Sequence, residues 1–117
     1  MEAKELTTAE FIEKVGNFKE KDWKYTGDKP CIVDFYTSTC PYCKRLEPIL
    51  KEFANEYGER LYVYGVNVDR EEDLDKAFDI QTVPTLMLCR TDGHRESMIG
   101  TMGKAELRKI IEEQLLK

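Results

Sequence analysis

A chain of 117 residues, 41% hydrophobic and 10% aromatic, has the size of one domain built on a single core. Eighteen Lys and Arg stand against 23 Asp and Glu for a net charge of −5, spread along the chain, which leaves no basic footprint for nucleic acid or for a membrane surface. No apolar run approaches the roughly 20 residues of a membrane span, residues 1–6 carry no signal-peptide core, and four cysteines, at 31, 40, 43 and 89, are too few for a disulfide scaffold and offer only one close pair where structural zinc takes two.

In chain order, Thr7-Thr8-Ala9-Glu10 reads as a capping box, which starts a helix over 8–16 with Phe11, Ile12 and Val15 on one face and Gly16-Asn17 as its stop. Residues 3–6 ahead of it are a candidate edge strand. Residues 18–29 are polar apart from Phe18, Trp23 and Tyr25, and read as a connection or a helical turn plus loop. The run Cys31-Ile32-Val33-Asp34-Phe35-Tyr36 is short, nearly all apolar and rich in β-formers. It predicts a central strand covered on both faces.

After a loop over 37–39 comes Cys40-Pro41-Tyr42-Cys43. Beyond it Leu46, Ile49, Leu50, Phe53, Ala54 and Tyr57 recur at helical spacing, which predicts a long helix ending at Gly58 and kinked at Pro48. Residues 61–68 form a second core strand and 69–78 a short helix with Leu74, Ala77 and Phe78 inward. Strand, helix, strand makes a right-handed parallel crossover. A third strand over 85–89, a turn over 91–94 and an antiparallel return over 96–100 complete the sheet. A last amphipathic helix over 104–116 carries Leu107, Ile110, Ile111 and Leu115 on one side. The expected architecture is one α/β domain over 1–117, a mixed four- to five-stranded sheet with helices on both faces.

The chemistry gathers where the first core strand meets the long helix. Cys40 sits at the helix start, where unpaired N–H groups and the positive end of the macrodipole favour its thiolate and lower its pKa from about 8.5 toward about 4–7. It reads as the nucleophile. Cys43, one turn on, lies beneath it and reads as the resolving thiol, which attacks the mixed disulfide on Cys40 and releases the substrate thiol. Pro41 fits the first helical turn, where its missing N–H costs nothing. Cys31 and Cys89 fall inside strands as small buried hydrophobes. Trp23 reads as a packing residue and His94 as a turn residue. Gly100, close to the approach to the cysteines, leaves space for a substrate backbone.

The strand "CIVDFY", the pair "CPYC", "KRLEP" with its proline, "VNVD", "VPTLML", the Gly100 segment and the last helix together resemble the thioredoxin-like family over nearly the whole chain. The resemblance implies a thiol–disulfide oxidoreductase acting on protein disulfides. It also implies that Asp34 lies behind Cys43 and takes its proton as general base. Pro84 would follow a cis bond beside the cysteines, leaving the Val83 backbone to pair with an extended substrate by strand addition.

This chain departs from that pattern in four places. Thr39 stands where thioredoxins carry Trp, and Pro41-Tyr42 replaces their Gly-Pro. Thr82-Val83-Pro84, like Pro41-Tyr42, is a glutaredoxin-like choice. Gly65 holds the place of a lysine often found near the aspartate. The dipeptide change implies a less reducing couple than a typical thioredoxin, between about −270 and −200 mV. No cofactor or metal is expected. The electron donor is thioredoxin reductase or another dithiol, with glutathione as the alternative, although the segment Gly100-Thr101-Met102-Gly103-Lys104 lacks the acidic pair with which glutaredoxins hold glutathione. A non-catalytic binding module on the same fold is the third reading. The chain is expected to be a monomer in the cytoplasm, or in the periplasm if a signal peptide has been removed.

Overall fold

The computed structural model describes residues 4–116. Its elements are β1 (Lys4–Glu5), α1 (Thr8–Lys14), β2 (Cys31–Tyr36), α2 (Pro41–Glu56), β3 (Tyr62–Asn67), α3 (Glu72–Ala77), β4 (Thr85–Cys89), β5 (Arg95–Ile99) and α4 (Lys104–Ile110), the last running on into a π-helical turn over Ile111–Leu115. The sheet has five strands in the order β1-β3-β2-β4-β5. β3 runs parallel to β1 and β2, and β4 antiparallel to β2 and β5. β2 is therefore the central strand, as its apolar run predicts.

Alternation along β2 divides the core in two. Cys31, Val33 and Phe35 join Phe11, Val15 and Leu74 on the α1 and α3 side, while Ile32 joins Leu46, Leu50, Phe53, Leu107 and Ile111 on the α2 and α4 side. Both faces of the sheet are thus covered by helices. α1 opens on the expected capping box. Thr7 Oγ1 accepts the Glu10 N–H at 3.2 Å, and Glu10 Oε1 accepts the Thr7 N–H at 3.1 Å.

α2 carries Pro48 inside it and runs on to Glu56, with Leu46, Leu50, Phe53 and Ala54 on its inner face against the sheet. Three expectations need correction. α3 is shorter than residues 69–78, and Ala77 is exposed rather than inward. Six residues give it one inward position, Leu74, with Phe78 packing just beyond its end. The return strand is Arg95–Ile99, one residue earlier than expected. Residue 93 turns the chain with φ +93°, a conformation suited to glycine, and the Arg90 N–H to His94 carbonyl bond (2.9 Å) sets the register. The expected strand over 3–6 appears as Lys4–Glu5, with residue 3 outside the described part of the chain.

Candidate active site

Cys40 is the N-cap of α2, with extended backbone angles (φ −87°, ψ 116°). Pro41 follows at the first helical position, which needs no N–H. The Cys43 N–H donates to Cys40 Sγ at 3.1 Å, satisfying one of the free donors of the helix start. The two cysteines form a disulfide with their Cα atoms 5.2 Å apart. Cys40 retains 8% of its surface exposed and Cys43 4%.

Around Cys40, Thr39, Pro41 and Tyr42 are exposed. The Tyr42 ring, 54% exposed, has the Arg45 guanidinium 5.1 Å from its centre. The first turn of α2 carries no acidic residue. Lys44 and Arg45 therefore add positive charge at the end of the helix that already favours an anion.

Val83 and Pro84 lie across from the disulfide. The Val83 carbonyl oxygen is 3.7 Å from Cys40 Sγ, and the Val83–Pro84 bond is cis. The segment is held on both sides, since the Thr85 hydroxyl donates to the Thr82 carbonyl at 2.5 Å and the Gly100 N–H donates to the Pro84 carbonyl at 2.8 Å. Gly100 itself is buried. A Cβ there would come within 2.9 Å of Leu86 Cγ and 3.2 Å of Leu46 Cδ2. The space at Gly100 thus faces the core rather than a substrate, and the residue serves the site by fixing Pro84.

Asp34 shares the face of Ile32, toward α2, and is the one buried charged side chain among the described residues, at 7% exposure. Its Oδ1 has no hydrogen-bond partner there. Burial pushes its pKa from 3.8 up to about 7, helped by the charges of Glu5 and Glu47. Asp34 and Cys43 line one cavity of about 300 Å³. A carboxyl group that titrates near neutrality thus sits in the same pocket as the inner sulfur.

The other singled-out residues lie elsewhere. Cys31 and Cys89 are opposite one another across β2 and β4 and fully buried, and burial holds the Cys31 thiol well above the ordinary range. Trp23 packs among Phe11 and Phe78, with the Arg95 guanidinium 3.7 Å from its ring centre. His94 is exposed in the β4–β5 turn, where its N–H donates to Asp92 Oδ1.

Sequence reasoning missed Glu5 and Tyr36, which border the same cavity. Tyr36 falls on the Asp34 face by simple alternation and could have been found that way. Glu5 could not, because a two-residue strand shows no period from which to set its register.

The family model described as thioredoxin matches residues 2–113. Among curated proteins, the thioredoxin of Borreliella burgdorferi is 33% identical over 109 residues, covering 92% of this chain and 93% of that one. The thioredoxin of Acidithiobacillus ferridurans is 36% identical over 87 residues, 74% of this chain and 81% of that one. That of Buchnera aphidicola is 30% identical over 111 residues, 95% of this chain and 94% of that one.

Proposed function

Because the chain belongs to the thioredoxin family and is a thiol–disulfide oxidoreductase of its dithiol type, we propose that Cys40 is the attacking sulfur, Cys43 the resolving sulfur and Asp34 the proton acceptor. The observation that carries this reading is the N-cap position of Cys40, whose sulfur accepts the Cys43 N–H. That bond and the helix dipole stabilise the thiolate once the disulfide is reduced.

In the reducing direction, Cys40 thiolate attacks one sulfur of a substrate disulfide, and the other substrate sulfur leaves as a thiolate. Cys43 then loses its proton to Asp34 and attacks Cys40. The Cys40–Cys43 bond forms as the Cys40–substrate bond breaks, and the electron pair leaves on the second substrate thiolate. Substrate is reduced by two electrons and the enzyme dithiol is oxidised by two. Val83 presents its backbone beside Cys40 to an extended substrate segment, with Thr82, Pro84 and Gly100 holding Val83 in place and Thr39 and Tyr42 forming the exposed approach.

Thioredoxins act in general on protein disulfides with a reductase partner. We assign this chain the role of protein-disulfide reductase, with thioredoxin reductase or another dithiol as donor. Insulin-disulfide reduction, run in parallel with a thioredoxin-reductase system and with glutathione, glutathione reductase and NADPH, tests the donor. The reductase system is expected to sustain the faster turnover. Faster turnover with glutathione would transfer the chain to the glutathione-dependent reading that Pro41-Tyr42 favours.

The same first turn bears on the redox couple. The Cys43 N–H, Lys44 and Arg45, with no acidic residue beside them, stabilise the reduced thiolate and so raise the potential. Equilibration with glutathione buffers is expected to give a value between about −270 and −200 mV. A potential at or below about −270 mV would contradict the effect assigned to this turn. No helix among the described residues is long and apolar enough to cross a membrane. We place the protein in the cytoplasm.

A further inference from the structure

Asp34, Gly65 and Glu5 form one row across three strands. Asp34 is the register partner of Gly65 on β3, and Gly65 is the register partner of Glu5 on β1. Residues in such a row point to the same face of the sheet. Neighbouring strands are about 4.8 Å apart, so the two carboxyl-bearing residues stand only two strand spacings apart, and the residue between them has no side chain to separate them. The Glu5 carboxylate occupies that opening. A Cβ on Gly65 would lie 2.9 Å from Glu5 Oε2 and 3.3 Å from Tyr36 Cε1. The Tyr36 hydroxyl donates to Glu5 Oε1, and Tyr36 shares the face of Asp34 two positions along β2. An exposed acid on an edge strand is in this way leaned over the glycine toward a buried acid whose Oδ1 has no partner among the described residues.

We propose that Glu5, tethered by Tyr36 across Gly65, is a positioning residue that sets the pH range over which Asp34 accepts the proton of Cys43. The inference rests on the role assigned to Asp34 above. A negative charge beside Asp34 opposes its ionisation, so Asp34 stays protonated to higher pH than burial alone would hold it. Asp34 is then a better base when it does ionise, and the fraction ready to act changes steeply near neutral pH.

The charged and titratable groups bordering the same cavity, besides Asp34 itself, are Glu5 from β1, Tyr36 from β2, Tyr64 from β3, and Cys43, Lys44, Glu47 and Lys51 from α2. From β4 the register partner of Asp34 is the apolar Leu86. Glu47 is exposed and paired with Lys51 at 3.0 Å, which screens its charge. The Tyr36 phenol is held above its ordinary pKa by burial and by its bond to Glu5, and it remains a donor throughout the range in question. Glu5 is thus the acid with the least compensated effect on Asp34.

The test is a titration of the Asp34 side-chain carboxyl carbon by NMR in the reduced protein, for wild type, Glu5→Gln, Tyr36→Phe and Glu47→Gln. It is run beside the pH profile of mixed-disulfide resolution for the same proteins and for Asp34→Ala. Glu5→Gln is expected to lower the Asp34 midpoint by roughly 0.5–1 unit, to move the resolution profile by the same amount, and to leave the melting temperature unchanged near pH 4, where Asp34 holds its proton folded or unfolded, while raising it above pH 7. Tyr36→Phe, which frees Glu5 to swing into solvent, should move both in the same direction but less far. An Asp34 midpoint that Glu5→Gln leaves in place, or moves no further than Glu47→Gln does, overturns the inference and leaves the role of Asp34 standing. A resolution profile that keeps its inflection in Asp34→Ala overturns the role of Asp34 itself and the inference with it.

Discussion

Asp34→Ala is expected to gain stability on wild type as the pH rises from about 4 to 7, by roughly 4 kcal/mol in all, and then to hold that gain at higher pH. The cause is a carboxyl group that the fold keeps protonated. Its pKa is 3.8 in an unfolded chain and about 7 in the folded one. Below pH 4 both states hold the proton and the group is neutral in each. Between 4 and 7 the unfolded state releases the proton while the folded state retains it, and the folded state loses up to 1.36 kcal/mol per pH unit relative to the unfolded one. Above 7 both are ionised and the loss is complete. Removing the carboxyl removes the loss.

The difference between variant and wild type is the informative quantity, because the exposed carboxylates Glu10, Glu56 and Asp92, whose hydrogen bonds lower their pKa values, contribute equally to both proteins. The variant also extends the cavity behind Cys43, a cost that shifts its whole curve and does not change with pH. Urea unfolding from pH 4 to 9 would measure this, and parallel stability curves for the two proteins would rule out a buried, proton-retaining Asp34. The same variant should slow disulfide turnover and leave alkylation of Cys40 nearly unaffected, since the proton in question belongs to Cys43.

The stability cost is the counterpart of the catalytic use. A buried carboxyl whose Oδ1 has no hydrogen-bond partner among the described residues is what folding alone would remove, and its retention in the pocket of Cys43 fits a site that needs a base active near neutral pH.

The parts of this architecture legible in the sequence were those with a strong period or a strong local constraint. β2 and α2 show themselves through an apolar run and a helical stripe, and the cysteine pair with its proline marks the helix start between them. The capping box at Thr7 and Glu10 likewise carries its own geometry. α3 was read too long because Asp69, Arg70 and Glu71 are acceptable in a helix, and only the packing of Leu74 decides where the helix begins. Gly100 was read as substrate space because its neighbours in the fold, Leu46 and Leu86, lie 54 and 14 positions away in the chain. Cross-strand register was the least visible of all. Nothing in Lys4-Glu5 or in Gly65 alone shows that they align with Asp34, yet that row determines the charge beside the proposed base.

The second large effect falls on the cysteines. Cys40→Ser should lower insulin-disulfide reduction at least about a hundredfold, because a serine hydroxyl is far less acidic than a thiol and is not a competent nucleophile toward a disulfide. Neither the N-cap position nor the Cys43 N–H compensates for that difference. Cys43→Ser should lose turnover as completely and by a different route. Its Cys40 still attacks, and the complex then has no thiol beneath it to release the substrate. The two variants are equally inactive in a steady-state assay and opposite in what they accumulate.

Mass spectrometry of Cys43→Ser after reaction with an excess of a disulfide-bonded protein substrate, under non-reducing conditions, therefore tests the division of labour most directly. A covalent 1:1 adduct joined through Cys40, absent from the same reaction with Cys40→Ser and dispersed by dithiothreitol, is the predicted result. No adduct on Cys43→Ser, or an adduct formed as readily through Cys43 in Cys40→Ser, would contradict the assignment of Cys40 as attacking and Cys43 as resolving sulfur.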